Sequence, residues 1–382
     1  MTNSKKTNSL KSLSAIGFSD IIGTGIVAFF WFYLATLLDV ETYGELHYFI
    51  AIAGFAYVIS MIGTRDVITV YVSKKINVTS VLFLLSLGGG AVAAIVIFGI
   101  FHRIDAAFLV LAFIINDLAI GYILGQKLFN SYAKYILTQK TLTLVLGLSF
   151  YYIFGVEGII FALALSYIHF VIFIFRGSRK SKINFSLLPP RARFIITNYS
   201  LNIFGSFRNH LDKIIIAPIL GLTLLGNYAL ALQIWAVLII LTNIIFKYIL
   251  THDASGNKNK KLKTLTFFSS IIIAIFGITI LPIVIPEFFP RYTGTVDAIR
   301  IMSIAVIPAT VGQIYTSKLL GLEKSRTLII SRTISASSFL VAILFLGLTY
   351  GITGVAVAFV LSSTLQAVYL VTDGFLKRTK IS

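Results

Sequence analysis

The sequence predicts an all-α polytopic membrane protein of about twelve transmembrane helices in two six-helix bundles related by a parallel repeat. Three observations carry this reading. Twelve apolar stretches have membrane-spanning length, the segments between them alternate in charge sign, and the second half repeats landmarks of the first. Composition agrees: 57% of residues are hydrophobic and only 12% are charged, a ratio from which no water-facing surface can be built.

In chain order, the stretches fall at 13–37, 44–64, 81–101, 106–126, 140–154, 156–176, 193–219, 226–250, 264–285, 297–320, 327–350 and 354–376. Continuous runs of about twenty apolar residues are helices, because in hydrocarbon each backbone group must be satisfied within its own segment. A β-barrel would show short alternating segments instead. Within the third stretch, Gly88-Gly89-Gly90 permits close helix packing. The fifth is short and leans on its neighbour. In the tenth, Pro308 removes a backbone hydrogen bond and predicts a kink. The expected organisation is an N-terminal bundle over 1–176, a basic linker over 177–192 containing Pro189-Pro190, and a C-terminal bundle over 193–382. The remaining loops are too short to hold a separate core.

Charge sets the expected orientation. With the N-terminus inside, 27 of the 32 Lys and Arg residues fall on inside segments. The outside loops carry Arg103, Arg291 and Arg300 against Asp39, Glu41, Glu45, Asp105, Glu157, Glu287 and Asp297. This asymmetry places both termini in the cytoplasm. The net charge of +18 then meets anionic headgroups of the bilayer and needs no nucleic acid partner. No cleavable signal is expected, since the first apolar stretch is long and its exit is polar.

The repeat is read from spacing. Gly155-Val156-Glu157-Gly158 leads to Ala162 and Ser166, as Gly351-Ile352-Thr353-Gly354 leads to Ala358 and Ser362. Ile104-Asp105-Ala106 corresponds to Val296-Asp297-Ala298, and Leu38 with Tyr43-Gly44 corresponds to Leu220 with Leu225-Gly226. An even number of spans per repeat gives both halves the same orientation.

A charge at mid-bilayer costs about 2.5–3.5 kcal/mol on insertion scales, so in-span polar residues mark function or pairing. Span seven is the richest. At about 100° per residue, Asn198, Asn202, Gly205, Asn209, Asp212 and Lys213 share one stripe beside Arg208. The stripe reads either as a self-neutralising Arg208–Asp212 or Asp212–Lys213 pair, or as a cavity lining that offers a cation to an anionic substrate. Asp20 in span one and Asp117 in span four are candidates for ion coupling, or for partnering Arg208 or Lys213. Span ten presents Ser303, Thr310, Gln313 and Ser317 on one face.

Enzymatic chemistry has no foothold. The chain has no Cys, no phosphate-cradling Gly loop, no HExxH and no nucleophile elbow. His169 and His210 stand alone, so no metal site or cofactor is expected, and any active transport is expected to draw on an ion gradient or the membrane potential.

At span seven, Arg208-Asn209-His210-Leu211-Asp212-Lys213-Ile214-Ile215-Ile216, Leu220-Gly221 and Gly226-Asn227-Tyr228-Ala229-Leu230-Ala231 resemble the pattern (N/R)xxDxxxIxxxLG…xGxYxxA. That pattern belongs to the polysaccharide-repeat-unit flippases, the polysaccharide transporter branch of the MOP superfamily. Phe289-Pro290-Arg291-Tyr292 and Ile299-Arg300-Ile301-Met302 resemble a second family segment. The resemblance implies a MATE-like pair of bundles around a central cavity that works by alternating access in the cytoplasmic membrane. The implied cargo is a polyprenyl-diphosphate-linked oligosaccharide moved from inner to outer leaflet for cell-surface polysaccharide synthesis. Other membrane proteins of polysaccharide assembly are candidate partners. Arg208, Asn209, Asp212 and Lys213 would be cavity-side residues, joined by Asn202 and Gln313. The alternatives are a cation-coupled multidrug exporter of the same superfamily, centred on Asp20 or Asp117, and more remotely a membrane-embedded glycosyltransferase or polymerase.

Overall fold

A computed structural model describes residues 2–180, 182–206, 210–254, 260–321 and 325–376. Among these residues all the regular secondary structure is helical, with no strand. The helices are α1 (Thr2–Leu37), α2 (Val40–Ser60), α3 (Arg65–Ser73), α4 (Thr79–Phe101), α5 (Ile104–Gly125), α6 (Phe129–Phe154), α7 (Glu157–Leu165), α8 (Val171–Lys180) and α9 (Ala192–Ser206). They continue as α10 (Asp212–Leu220), α11 (Leu222–Leu238), α12 (Ile240–Ala254), α13 (Lys260–Thr279), α14 (Leu281–Phe288), α15 (Thr293–Met302), α16 (Val306–Gly321), α17 (Ser325–Ala342) and α18 (Leu348–Leu376).

Among the described residues eight helical runs are long and apolar enough to cross a membrane, or ten if each of two bent pairs is one span. One run, Arg326–Asp373, is 48 residues long and covers the expected spans eleven and twelve; Gly351, at φ 60° and ψ −133°, breaks it between them. Span seven falls on α9 and α10, on either side of residues 207–209. Several expected boundaries move. Span five is not short: α6 has 26 residues and starts eleven residues before the apolar stretch, because Lys134 and Lys140 interrupt the hydropathy without interrupting the helix. Span two is bent by 42° between α2 and α3, and span eight by 47° between α11 and α12. At the first of these bends the Gly63 N–H is taken by Ser86 Oγ at 2.9 Å, and the Thr64 hydroxyl caps the new helix at the Val67 N–H. In span ten a 3-10 turn over Ser303–Ala305 precedes Pro308, so the proline sits in the first turn of α16, where its missing N–H costs least.

The chain forms two compact units. The first comprises Met1–Trp31 and Phe49–Leu211, the second Phe32–Tyr48 and Asp212–Ser382. The 177–192 segment thus lies within the first unit, and the division falls in span seven. In the first unit the core is built on α5, where Leu109, Ile114, Leu118, Ala119 and Ile123 are fully buried. Gly90 admits Ile114 and Gly89 admits the Ser60 carbonyl, so two members of the glycine triplet do set helix packing. In the second unit Tyr228, Met302, Ile343, Val355, Ala356 and Phe359 form the core.

The repeat is visible in local geometry. Gly155 and Gly351 both take a left-handed φ, 71° and 60°, which side-chain-bearing residues rarely adopt. Three residues later, a Cβ on Gly158 would lie 2.7 Å from the Phe150 carbonyl oxygen, and one on Gly354 would lie 1.8 Å from that of Leu346. Each blocking carbonyl is eight residues upstream. Ser166 donates to Leu163 O and Ser362 to Phe359 O, again at equal spacing.

Candidate functional site

The bend of span two places Arg65 at the start of α3, and α3 lies directly on α5. That approach requires Gly121, where a Cβ would be 2.8 Å from the Arg65 carbonyl oxygen. One turn before Gly121, Asp117 is 5% exposed and receives the Arg65 guanidinium: Nε donates to Oδ1 at 3.1 Å, and Nη2 donates to the same oxygen. Tyr57 Oη donates to Asp117 Oδ2 at 3.4 Å. The carboxylate is thereby paired from two elements, while the Arg65 side chain keeps 44% of its exposure.

Asp20 on α1 accepts a hydrogen bond from Tyr132 Oη at 3.1 Å. Lys140, on the face of α6 toward α1, lies within the electrostatic reach of Asp20, and Arg65 within that of Tyr132. Carboxylates, cations and phenols thus make one polar layer inside the first unit: Asp20, Lys140, Tyr132, Arg65, Asp117 and Tyr57. Among the described residues the partners of Asp117 are Arg65 and Tyr57, the former brought to it by the α3–α5 packing; Arg208, one partner expected for it, lies outside them.

The second unit carries its own layer. Asp212, 1% exposed, meets Lys213 Nζ at 3.2 Å and accepts from Tyr228 Oη at 3.1 Å. His47, buried on α2, stands in the field of Lys213. Separately, α12 and α16 are joined by two rungs. Gln313 Nε2 donates to Asn243 Oδ1 at 2.6 Å, and the Thr242 and Thr310 hydroxyls meet at 3.2 Å. Gln313 Oε1 is buried without a partner among the described residues.

Of the sequence-derived candidates, Asp212 and Lys213 are adjacent and paired, Asn202 is half-buried on α9, and Gln313 belongs to the α12–α16 rungs. Asn198 returns its amide to the Phe194 carbonyl of its own helix, so it does not extend the stripe as a free polar group. Arg208 and Asn209 lie outside the described residues. His169 is engaged with the Tyr135 carbonyl at 3.1 Å.

Sequence reasoning missed Arg65, Lys140, Tyr57 and Tyr132 as site residues, and met Tyr228 only as part of the span-seven motif. Arg65 directly follows the stretch 44–64 and Lys140 opens the stretch 140–154, so both read as inside cations at span ends. A signal for Arg65 was present: Thr64 followed by Asp66 is an N-cap with an acidic first turn, which announces a new helix inside the span.

No protein-family model and no curated protein sequence matches the chain. Solved structures do. A multidrug resistance MATE family transporter of the MOP superfamily in an inward-facing conformation matches with TM-score 0.72 at 17% identity, over 94% of each chain. The lipid II flippase MurJ, in an inward closed conformation, matches with TM-score 0.74 at 13% identity, over 94% of this chain and 87% of that one. A MATE protein in complex with MaL6 matches with TM-score 0.61 at 16% identity, over 97% of each. At such identities the likeness establishes the fold, an all-helical membrane-transporter architecture shared by exporters and a flippase.

Proposed function

We propose that this chain is a flippase that moves a polyprenyl-diphosphate-linked oligosaccharide from the inner to the outer leaflet of the cytoplasmic membrane, by alternating access of the halves 1–176 and 193–382. The observation that carries this reading is the pairing of in-span carboxylates: Asp117 with Arg65, Asp212 with Lys213, and Asp20 in the field of Lys140. A cation-coupled exporter would favour a buried carboxylate, Asp20 or Asp117, as its substrate or proton site, with the cations unimportant. Here the partly exposed member of the Asp117 pair is the cation, Arg65, which suits an anionic headgroup. The span-seven motif and the fold shared with MurJ support the same class.

The physics suits the cargo. An interior-negative potential favours outward movement of an anion by about 2.3 kcal/mol per charge per 100 mV, so a diphosphate needs no ATP. In this reading Arg208, Asn209, Asp212, Lys213, Asn202 and Gln313 are the substrate-side polar residues, and within the first unit Asp117 sets how available the Arg65 cation is to an anion.

Deleting the gene and analysing the lipid-linked oligosaccharides tests the reading. A complete repeat unit held on its polyprenyl carrier in the inner leaflet is the expected result, and Arg208→Ala should reproduce it at normal expression. The MATE neighbours favour a second reading, cation-coupled multidrug export. An unchanged lipid pool with new drug sensitivity would select that one.

A further inference from the structure

Apart from these polar layers, the first unit holds a pocket of about 240 Å³ among the ends of four helices. Lys75 and Asn77 of the α3–α4 turn, Thr79 at the start of α4, Tyr122 and Gln126 at the end of α5, and Lys180 at the end of α8 line it. All belong to the basic side that the charge asymmetry assigns to the cytoplasm.

Four features point to an anion. None of the lining residues is a carboxylate, and two are lysines from different elements. The 23-residue α4 opens onto the pocket with Val78 at its cap position, which supplies no side-chain hydrogen bond, so the positive end of the helix dipole is not met by a side chain. Thr79 is 6% exposed and lines the pocket, which sets a hydroxyl donor beside the two lysines. A hydroxyl at this position can donate to a ligand oxygen. Lys75 holds a left-handed φ of 57° at a helix end where glycine is the usual residue, so the sequence keeps a lysine where the backbone disfavours one. Lysines also offset helix C-terminal dipoles, which accounts for Lys180 in the last turn of α8 but not for a lining that holds no carboxylate.

We propose that this pocket binds a phosphate group, as the headgroup of an anionic phospholipid of the inner leaflet or as a free phosphate, between Lys75 and Lys180 with Thr79 donating to it. Basic pockets between helices at the cytoplasmic interface are suited to such headgroups. The site does not depend on which cargo crosses.

The test uses the full chain in detergent, titrated with phosphatidylglycerol, phosphatidylcholine or inorganic phosphate and read by native mass spectrometry and thermal shift. Retention of phosphatidylglycerol but not phosphatidylcholine is expected; protection by inorganic phosphate as well would identify the bare phosphate as sufficient. The double variant Lys75→Gln, Lys180→Gln should weaken binding about thirtyfold, and Thr79→Val about fivefold with no change of charge. The charge-matched control Lys260→Gln, Lys261→Gln, on exposed positions of α13, should leave binding within about twofold. The proposal is overturned if neither probe binds. It is equally overturned if Thr79→Val binds normally and both double variants weaken binding alike, since that pattern is diffuse charge attraction.

Discussion

Asp20, Asp117 and Asp212 are each met by a phenol, and the latter two also by a cation. Removing one partner of a buried pair costs about 3–5 kcal/mol because the other charge is left uncompensated. Arg65 keeps 44% exposure, so the penalty here should be smaller. Arg65→Gln is expected to destabilise the protein by about 2 kcal/mol, with most of that recovered in the double variant Arg65→Gln, Asp117→Asn. Thermal unfolding in detergent measures it, and equal stability of the single and double variants would contradict the pairing. Asp39, in the turn before α2, accepts hydrogen bonds from the Thr42 hydroxyl and the Thr42 N–H, which hold its carboxyl below the usual carboxylate range. A lowered folded-state pKa stabilises above the unfolded value, and that gain is lost as pH falls through the folded value. Asp39→Ala should therefore cost about 1 kcal/mol at neutral pH, with the difference from the parent shrinking below about pH 4. A difference that persists unchanged at pH 3 would argue against the ionised cap.

At the scale of elements, helix identity was legible in the apolar runs, because the bilayer leaves the backbone few other options. The paired landmarks were legible too: Gly155 and Gly351 share a backbone geometry, and Gly158 and Gly354 each approach a carbonyl eight residues upstream. Gly354→Ala is expected to destabilise by about 1–3 kcal/mol, whereas Gly88→Ala, with nothing within 4 Å, should be close to neutral by the same assay. Comparable effects at the two positions would remove close approach as the reason for Gly354. What hydropathy did not show was the bend in span two and the extent of α6. Both hinge on charged residues, Arg65 and Lys140, that an average over a window reads as the end of a span. In the structure Arg65 pairs with Asp117 on another helix and Lys140 lies in the field of Asp20, and pairing across helices has no signature in local sequence. The candidate site was accordingly half legible: the carboxylates stood out inside spans, and their cations were hidden at span ends.

For the whole molecule, the charge asymmetry predicts an orientation that can be tested directly. The chain contains no cysteine, so single substitutions report topology cleanly. In intact cells, Glu287→Cys should react with a membrane-impermeant thiol reagent and Lys261→Cys should not; the reverse pattern would invert the proposed direction of transport. The fold is common to exporters and a flippase, so cargo has to be decided by the charges that the fold carries inside it. The most direct test reconstitutes the full chain in liposomes with a fluorescent polyprenyl-diphosphate oligosaccharide and follows its transfer between leaflets under an imposed potential. Protein-dependent transfer that quickens toward the positive side and is lost in Arg65→Gln is expected. Transfer no faster than in protein-free liposomes, with uptake of a cationic dye driven by a proton gradient, would contradict the flippase assignment.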